Sequence, residues 1–168
     1  MELALRPWRR SDAKALAELL NDPAVQRNLR DGLPDPYTEE DGRNFITDML
    51  AADPDKVFAF AITQDGSLVG GIGVFRQENI HHRTAEMGYY LGRRFWGQGI
   101  GTWAVRETSR RLFATTDLLR IFAEPFVRNH GSCRVLEKAG FQCEGVMRKH
   151  AVKNGQVLDV KLYALVRE

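Results

Sequence analysis

The chain has 168 residues, of which 24 are basic and 22 are acidic, so its formal net charge is only +2. This balance argues against a nucleic-acid-binding role, which usually requires a strongly basic face. No apolar run approaches the roughly 20 residues that cross a bilayer, and the N-terminus resembles no signal peptide. We therefore expect a protein of the cytoplasm that binds neither nucleic acid nor a membrane.

The cysteine and histidine content also favours a protein of the cytoplasm. Cys133 and Cys143 are the two cysteines, which fits a reducing compartment better than a disulfide-stabilised protein. They form no zinc-ligand spacing with the four histidines. No metal site is therefore expected.

The first half of the chain predicts a strand, two helices and a β-hairpin. In chain order these elements cover residues 3–6, 11–20, 38–50, 57–63 and 68–76. Ser11 and Thr38 are favourable N-caps for the two helices, and Asp65-Gly66 is a hairpin turn signal. Three glycines between residues 70 and 73 weaken the returning strand and indicate close packing of other atoms against its backbone.

The second half predicts alternating strands and helices and then a last hairpin. These elements cover residues 84–92, 102–114, 118–124, 132–139, 141–152 and 157–166. The hairpins predict antiparallel pairing, whereas the helix between the strands at 84–92 and 118–124 predicts one parallel crossover. The order predicts a mixed α+β sheet with helices on both faces, in one domain that covers residues 1–168.

The most informative segment is Trp96-Gly97-Gln98-Gly99-Ile100-Gly101-Thr102, between a predicted strand and a predicted helix. Glycine lets backbone amides approach an anion closely, and a helix start adds free N–H groups and a positive dipole end. Residues 97–102 therefore predict a pyrophosphate site, with a simple connecting turn as the alternative. Thr102 stands where a Rossmann loop has its third glycine, and the Gly-Lys-Ser/Thr of a Walker A loop is absent.

Two blocks of the sequence resemble the GNAT acyltransferases. The first is Ala85-Glu86-Met87-Gly88-Tyr89-Tyr90-Leu91 followed by Gly99-Ile100-Gly101, which is similar to the family's acetyl-CoA loop. Trp96 departs from the Gln or Arg that usually opens that loop, but it resembles the RimJ/RimL-type branch. The second block, residues 129–141, resembles the family pattern Asn-x-x-Ser-x-x-x-x-Glu-Lys-x-Gly-Phe. The resemblance covers nearly the whole chain.

The resemblance implies a fold, a donor and a reaction. The fold is a mostly antiparallel sheet of about seven strands, flanked by about four helices, with a splayed parallel strand pair. The reaction is direct transfer of an acyl group from acetyl-CoA to a primary amine, on a protein N-terminus or a small molecule. A non-catalytic acyl-CoA-binding domain and a longer donor such as succinyl-CoA are the alternatives, and a homodimer is compatible with the sequence.

The resemblance also implies which residues bind the donor. Backbone amides of residues 97–102 are expected to bind the diphosphate of coenzyme A. The strand that contains Tyr89, Tyr90 and Leu91 is expected to pair with the pantetheine arm as an added strand would. Asn129 is expected to hydrogen-bond the same arm, although it is also a favourable helix cap.

Glu86 and Ser132 are the candidate catalytic residues. Glu86 is a lone carboxylate in an apolar strand, and we interpret it as a general base, with an outward-facing surface position as the alternative. Ser132 is expected to protonate the leaving thiolate. Some relatives have a carboxylate where this chain has Ala151 beside His150, so the base stays open between Glu86, the region of His150 and water. Covalent catalysis by Cys133 is disfavoured, because no His or Asp partner is evident.

The acceptor is only weakly constrained by the sequence. An α-amine has a pKa of roughly 7.7–8.0, against about 10.4 for lysine, so a weak base or water suffices for an α-amine. Because the sequence assigns no base with certainty, it favours an α-amine acceptor, which needs only a weak one. Tyr37 lies in the irregular stretch where the family's acceptor site tends to form, and it is a candidate to line that site.

Overall fold

The chain forms seven strands and five α-helices. The structure, a computed structural model, describes all 168 residues. The strands are β1 Leu3–Arg6, β2 Val57–Gln64, β3 Ser67–Arg76, β4 Thr84–Leu91, β5 Arg120–Ala123, β6 Gln142–Lys153 and β7 Gln156–Val166. The helices are α1 Ala13–Leu20, α2 Pro23–Gln26, α3 Glu39–Ala51, α4 Ile100–Thr115 and α5 His130–Lys138. None of the helices has the length and apolar character that a membrane crossing needs.

All seven strands belong to one sheet, in the order β1-β2-β3-β4-β5-β7-β6. Every neighbouring pair is antiparallel except β4 and β5, which are parallel and are joined through α4. The mixed sheet and its single parallel crossover are therefore confirmed. The predicted number of helices is one too low, because α2 has only four residues, too few to show a helical period in the sequence.

Local capping signals predicted one helix start correctly and missed others. Thr38 caps α3, where its hydroxyl accepts a hydrogen bond from the N–H of Asp41 and the Asp41 carboxylate accepts one from the N–H of Thr38. Ser11 is not an N-cap, because a 3-10 turn over Arg10–Asp12 precedes α1. Asp12 in that turn instead forms a two-pronged ion pair with Arg6 at the end of β1.

The helices cover both faces of the sheet, and each face has its own buried core. The larger core lies between the sheet and helices α4 and α5, and it receives the odd-numbered side chains of β4 from Ala85 to Leu91. The second core lies between the sheet and helices α1 and α3, and Tyr90 packs against it. Because strand side chains alternate between faces, the even-numbered residues of β4, including Glu86, lie on the α1/α3 face.

Glycines in β3 allow the second core to form. A Cβ atom at Gly71 would lie 2.7 Å from the hydroxyl oxygen of Tyr90 and 2.8 Å from a ring carbon of Trp8. Such contacts are too short for a real side chain, so Gly71 leaves room for both rings. This close approach confirms what the glycines of the strand predicted.

We expect Gly71→Ala to lower the free energy of unfolding by about 1–3 kcal/mol, because overpacking in a tight core strains its neighbours. Gly73→Ala is the matched control in the same strand. A Cβ atom there would meet only the ring of Phe75, at 3.0 Å, and that ring is 38% exposed and free to move. Urea unfolding of both variants measures the difference, and equal destabilisation would contradict the packing argument.

Candidate active site

A cleft opens where β4 and β5 separate. The two strands pair only from Thr84↔Arg120 to Glu86↔Phe122. β5 ends at Ala123, whereas β4 continues to Leu91, so the last residues of β4 face open space. The cleft has a volume of about 600 Å³, and residues of α2, β4, α4 and α5 line it. The splayed parallel pair expected from the resemblance is therefore present.

The register of β4 on β3 decides which backbone groups face this cleft. Gly92 donates its N–H to the carbonyl of Val69 on the β3 side. Since hydrogen-bonding direction alternates along an antiparallel strand, Tyr90 also points its backbone towards β3, and Tyr89 and Leu91 point theirs into the cleft. The carbonyl of Leu91 accepts a hydrogen bond from the Trp96 indole N–H at 3.0 Å. The N–H and C=O of Tyr89 and the N–H of Leu91 remain available to a ligand.

Glycines shape the start of α4. Gly97 and Gly99 have φ angles of +72° and +81°, and no other atom lies within 4 Å of a Cβ placed on either residue. Gly99 is the N-cap of α4, so the helix begins at Ile100 and not at residue 102 as predicted. Thr102 therefore lies in the first turn, where backbone N–H groups have no partner within the helix. These amides face the cleft and can bind an anion.

The opposite wall of the cleft is the N-terminal half of α5. Asn129, its N-cap, accepts a hydrogen bond from the N–H of Ser132 at 3.2 Å, so α5 begins at His130 and not at Ser132 as predicted. The capping alternative for Asn129 is thus realised, and Asn129 also lines the cleft, with a side-chain nitrogen that donates no hydrogen bond within the chain. Arg134 and Lys138, further along α5, line the cleft and form no ion pair.

A pair of hydroxyl groups joins β4 to α5. The Tyr89 hydroxyl lies 2.7 Å from the Ser132 hydroxyl oxygen and 3.3 Å from the Ser132 carbonyl oxygen. Burial raises the pKa of Tyr89 to about 12, and the hydrogen bond with Ser132 opposes this shift only in part. Tyr89 therefore stays protonated at neutral pH and can pass a proton to Ser132. The sequence indicates only a backbone role for Tyr89, because a contact between residues 43 apart has no local signal.

The cleft has the chemical character of a site for a ligand that is both anionic and amide-like. Four buried side-chain polar atoms in the chain lack a hydrogen-bond partner. Two of them, Asn28 Oδ1 and Arg128 Nε, belong to residues that line the cleft, whereas the Tyr90 hydroxyl lies in the α1/α3 core beside Trp8. Buried polar groups normally have partners, so a ligand that enters from this side can supply partners for Asn28 and Arg128. Free amides and unpaired cations at the α4 end suit a diphosphate.

A cluster of titratable groups lies on the other face of the sheet. Glu86 is half-buried beside Phe122, and burial, followed by repulsion from Glu124, raises the pKa of its carboxyl group. His150 Nε2 lies 3.9 Å from the Glu124 carboxylate. Glu86 does not line the cleft, and it is separated by the sheet from Ser132. The structure thus places the two candidate catalytic residues on opposite faces of the sheet.

A second cavity, of about 560 Å³, lies between residues 21–35 and the turn that joins β6 to β7. We call it the polar cavity, because only one of its twelve lining residues is hydrophobic. It shares Arg27 and Arg128 with the cleft and contains no residue of the 97–102 loop. Tyr37 lines neither cavity, because its ring is buried in the α1/α3 core.

Cys133 is a weak candidate for a nucleophile. Cys133 is buried on α5, and burial raises the pKa of its thiol, which disfavours the reactive thiolate. No group of three or more His, Cys, Asp or Glu side chains is arranged to hold a metal ion.

Comparison with known proteins identifies the family. Residues 2–142 match the family described as "Acetyltransferase (GNAT) domain". The probable N-acetyltransferase YjcK of Bacillus subtilis (strain 168) is 38% identical over 135 residues, which cover 79% of this chain and 75% of that protein. The ribosomal-protein-serine acetyltransferase of Escherichia coli (strain K12) is 32% identical over 107 residues, 64% of this chain and 59% of that protein.

A solved structure agrees with the sequence match. RimL, described as a ribosomal L7/L12 alpha-N-protein acetyltransferase in complex with coenzyme A, superimposes with a TM-score of 0.88 at 26% identity. The alignment covers 98% of this chain and 93% of that one. The chain belongs to the GNAT family of acetyltransferases. It is an acetyl-CoA-dependent N-acetyltransferase, and RimL is among the solved structures that it resembles.

We expect Gly99→Ala to weaken coenzyme A binding by about tenfold or more, since a Cβ would obstruct an amide contact with a charged phosphate. Gly66→Ala is the control, because Gly66 has a similar φ of +83° in the β2–β3 turn, far from the cleft. Isothermal titration calorimetry with coenzyme A measures both variants. Equal affinity in the two variants would contradict an anion site at this loop.

Coenzyme A at 100 times its Kd should also stabilise the native chain against unfolding by about 2.7 kcal/mol.

Proposed function

We propose that residues 1–168 form one N-acetyltransferase domain that acetylates a primary α-amine by direct transfer from acetyl-CoA. The acceptor amine belongs to a protein N-terminus or to a small molecule such as an amino acid. One observation carries the proposal: the Tyr89–Ser132 hydroxyl pair and the Glu86–Glu124 carboxylate pair lie on opposite faces of the sheet beside the β4–β5 split. A thioester in the split would have a proton donor on one side and a proton acceptor on the other.

Donor binding follows from the backbone geometry. The amides of residues 97–102 bind the diphosphate at the start of α4, and the backbone groups of Tyr89 and Leu91 pair with the amides of the pantetheine arm. This pairing replaces the ladder that β5 would have made, so the arm acts as an added strand. Asn129 offers its side-chain nitrogen to the same arm. All these groups belong to one copy of the chain, so the proposal requires no partner subunit.

The hydroxyl pair acts on the leaving group. When the amine attacks the thioester carbon, negative charge develops on the acyl oxygen, and the N–H of Tyr89 stabilises it. The bond from carbon to sulfur then breaks, and the thiolate takes the proton of the Ser132 hydroxyl. Tyr89 replaces that proton through their 2.7 Å hydrogen bond and regains one from solvent, while the nitrogen of the intermediate releases its second proton to water as the amide forms.

The carboxylate pair acts on the acceptor. An amine that arrives as an ammonium ion is attracted to the negative charges of Glu86 and Glu124, and it must lose a proton before it attacks. A base works best when its pKa lies near the working pH, and the raised pKa of Glu86 moves it in that direction. Two relatives support an α-amine, because they are named a ribosomal-protein-serine acetyltransferase and an L-amino acid N-acetyltransferase. Two free cysteines are consistent with a cytoplasmic location.

We expect Glu86→Gln to lower kcat/KM by about 10²-fold or more, the usual contribution of a general base. In the native chain, kcat/KM should fall as the pH drops through the raised pKa of Glu86, because only the ionised carboxylate accepts a proton. Glu124→Gln removes a repelling charge, so it should lower that pKa and move the acidic limb to lower pH. A pH profile with one acceptor measures all three proteins. An unchanged acidic limb in Glu124→Gln, or full activity in Glu86→Gln, would contradict these roles.

We expect Ser132→Ala to lower kcat by about 10²-fold or more, with little change in affinity for coenzyme A, because a general acid acts on the departing thiolate. Tyr89→Phe should have a smaller effect, since it leaves the Ser132 hydroxyl in place. Ser109→Ala is the control, because Ser109 is a buried serine of α4 whose hydroxyl donates to the Val105 carbonyl. Steady-state kinetics that follow thiol release, with calorimetry of coenzyme A binding, separate the two effects. Native kcat in Ser132→Ala would exclude its role as the acid.

A further inference from the structure

Two arginines stand between the cleft and the polar cavity. Arg27 follows α2, Arg128 precedes α5, and both line the two cavities. Neither guanidinium has a carboxylate within 4.0 Å, although ten ion pairs occur among other residues of the chain. The wall shared by the two cavities therefore carries two positive charges that no side chain neutralises.

Arg128 is held in place by neutral groups. Its Nη1 donates to the side-chain oxygen of Gln156 at 2.8 Å, and its Nη2 donates to the backbone carbonyl of Arg27 at 2.9 Å. Its Nε is buried and has no partner. A guanidinium fixed in this way offers the second N–H of each Nη atom and a full positive charge to a ligand. The planar geometry of guanidinium suits a carboxylate.

The other charged residues that line the polar cavity are Lys153, Asp22 and Asp35. Lys153 is buried and pairs with Asp31 at 3.2 Å and with the carbonyl of Arg30. Asp22 accepts a hydrogen bond from the N–H of Ala24 as the N-cap of α2. Asp35 is exposed and makes no ion pair. Asp22 has no ion pair either, because the neutral N–H of Ala24 does not cancel its charge, so the cavity has two unpaired carboxylates and two unpaired guanidiniums. Only the two arginines also line the cleft, so the positive charge lies on the side of the cavity that meets the cleft.

The location of these charges favours the acceptor over the donor. The diphosphate site proposed above lies at residues 97–102, and none of those residues lines the polar cavity. Arg128 follows Glu124 by four residues, so extended chain separates them by at most about 14 Å. An acceptor of modest size can therefore place its amine near the carboxylate pair and a second group at Arg128.

We propose that the acceptor carries a carboxylate close to its amine, and that Arg128 and Arg27 bind this carboxylate in the polar cavity. This inference rests on the proposed function, since it names the acceptor of the same site. The carboxylate has two sources: the α-carboxylate of a free amino acid, or an acidic side chain near the N-terminus of a peptide. The two sets of acceptors compared in the test distinguish these two sources.

The test compares acceptors that differ only in this charge. Free amino acids are paired with their amides, and peptides with Asp or Glu at the second or third residue are paired with their Asn or Gln counterparts. In the native chain the carboxylate member of at least one pairing should have a kcat/KM about 10-fold to 100-fold higher, as expected for hydrogen bonds to a charged group. Preference in the first pairing identifies the free amino acid, and preference in the second identifies the peptide.

Variants assign the preference to the arginines. Arg128→Gln should abolish it, and Arg128→Lys should retain part of it. Arg27→Gln removes an exposed side chain that makes no hydrogen bond in the chain, so it remains informative if Arg128→Gln fails to fold, and it should reduce the preference. Arg10→Gln, an exposed arginine far from both cavities, is the control.

Four results would overturn the inference. The native chain could show no preference in either pairing, or the variants could slow carboxylate and amide acceptors equally. A raised KM for acetyl-CoA with every acceptor would assign the arginines to the donor. If no amine is acetylated although coenzyme A binds, the proposed function fails, and this inference fails with it. Turnover of amide acceptors without any preference overturns the inference alone.

Discussion

The separation of β4 from β5 is the constraint on which the whole site depends. β5 is only four residues long, and Pro125 follows it after one residue, where a missing N–H cannot extend a ladder. β4 continues, so the middle of the sheet contains an unpaired backbone edge. Exposed edges usually invite unwanted pairing, but this one is recessed between α2, α4 and α5 and admits only a narrow chain. The same break lets α4 and α5 begin at the mouth of the split, which brings their free N–H groups to one place.

The alternation of side chains along β4 then divides the chemistry between the two faces. Tyr89 points to the α4/α5 face and meets Ser132, whereas Glu86, three residues earlier, points to the opposite face and lies near Glu124. An odd spacing in a strand always places two residues on opposite faces. One short strand can therefore supply the backbone for the donor, a proton path to the sulfur and a base for the acceptor. The two substrates reach the thioester from different sides and need not pass each other.

Much of this arrangement could be predicted from the sequence, because its signals are local. The glycine loop, the Thr38 cap and the hairpin turns depend on a few adjacent residues. The starts of α4 and α5 were placed two residues late, because the left-handed backbone of Gly99 and the capping side chain of Asn129 are visible only in three dimensions. Contacts such as Tyr89 with Ser132 span 43 residues, and they depend on strand register and helix packing, which composition and spacing do not determine.

The unpartnered polar atoms link the stability of the chain to its chemistry. A buried donor or acceptor without a partner destabilises a fold by about 1–3 kcal/mol, so a chain this small tolerates few. Two of the four here belong to Asn28, in the segment after α2, and Arg128, in the segment before α5, and both residues line one cleft. Elements that meet through unsatisfied groups are less firmly held than elements that meet through packed side chains. A ligand that supplies the missing partners would therefore stabilise the contact between these two segments.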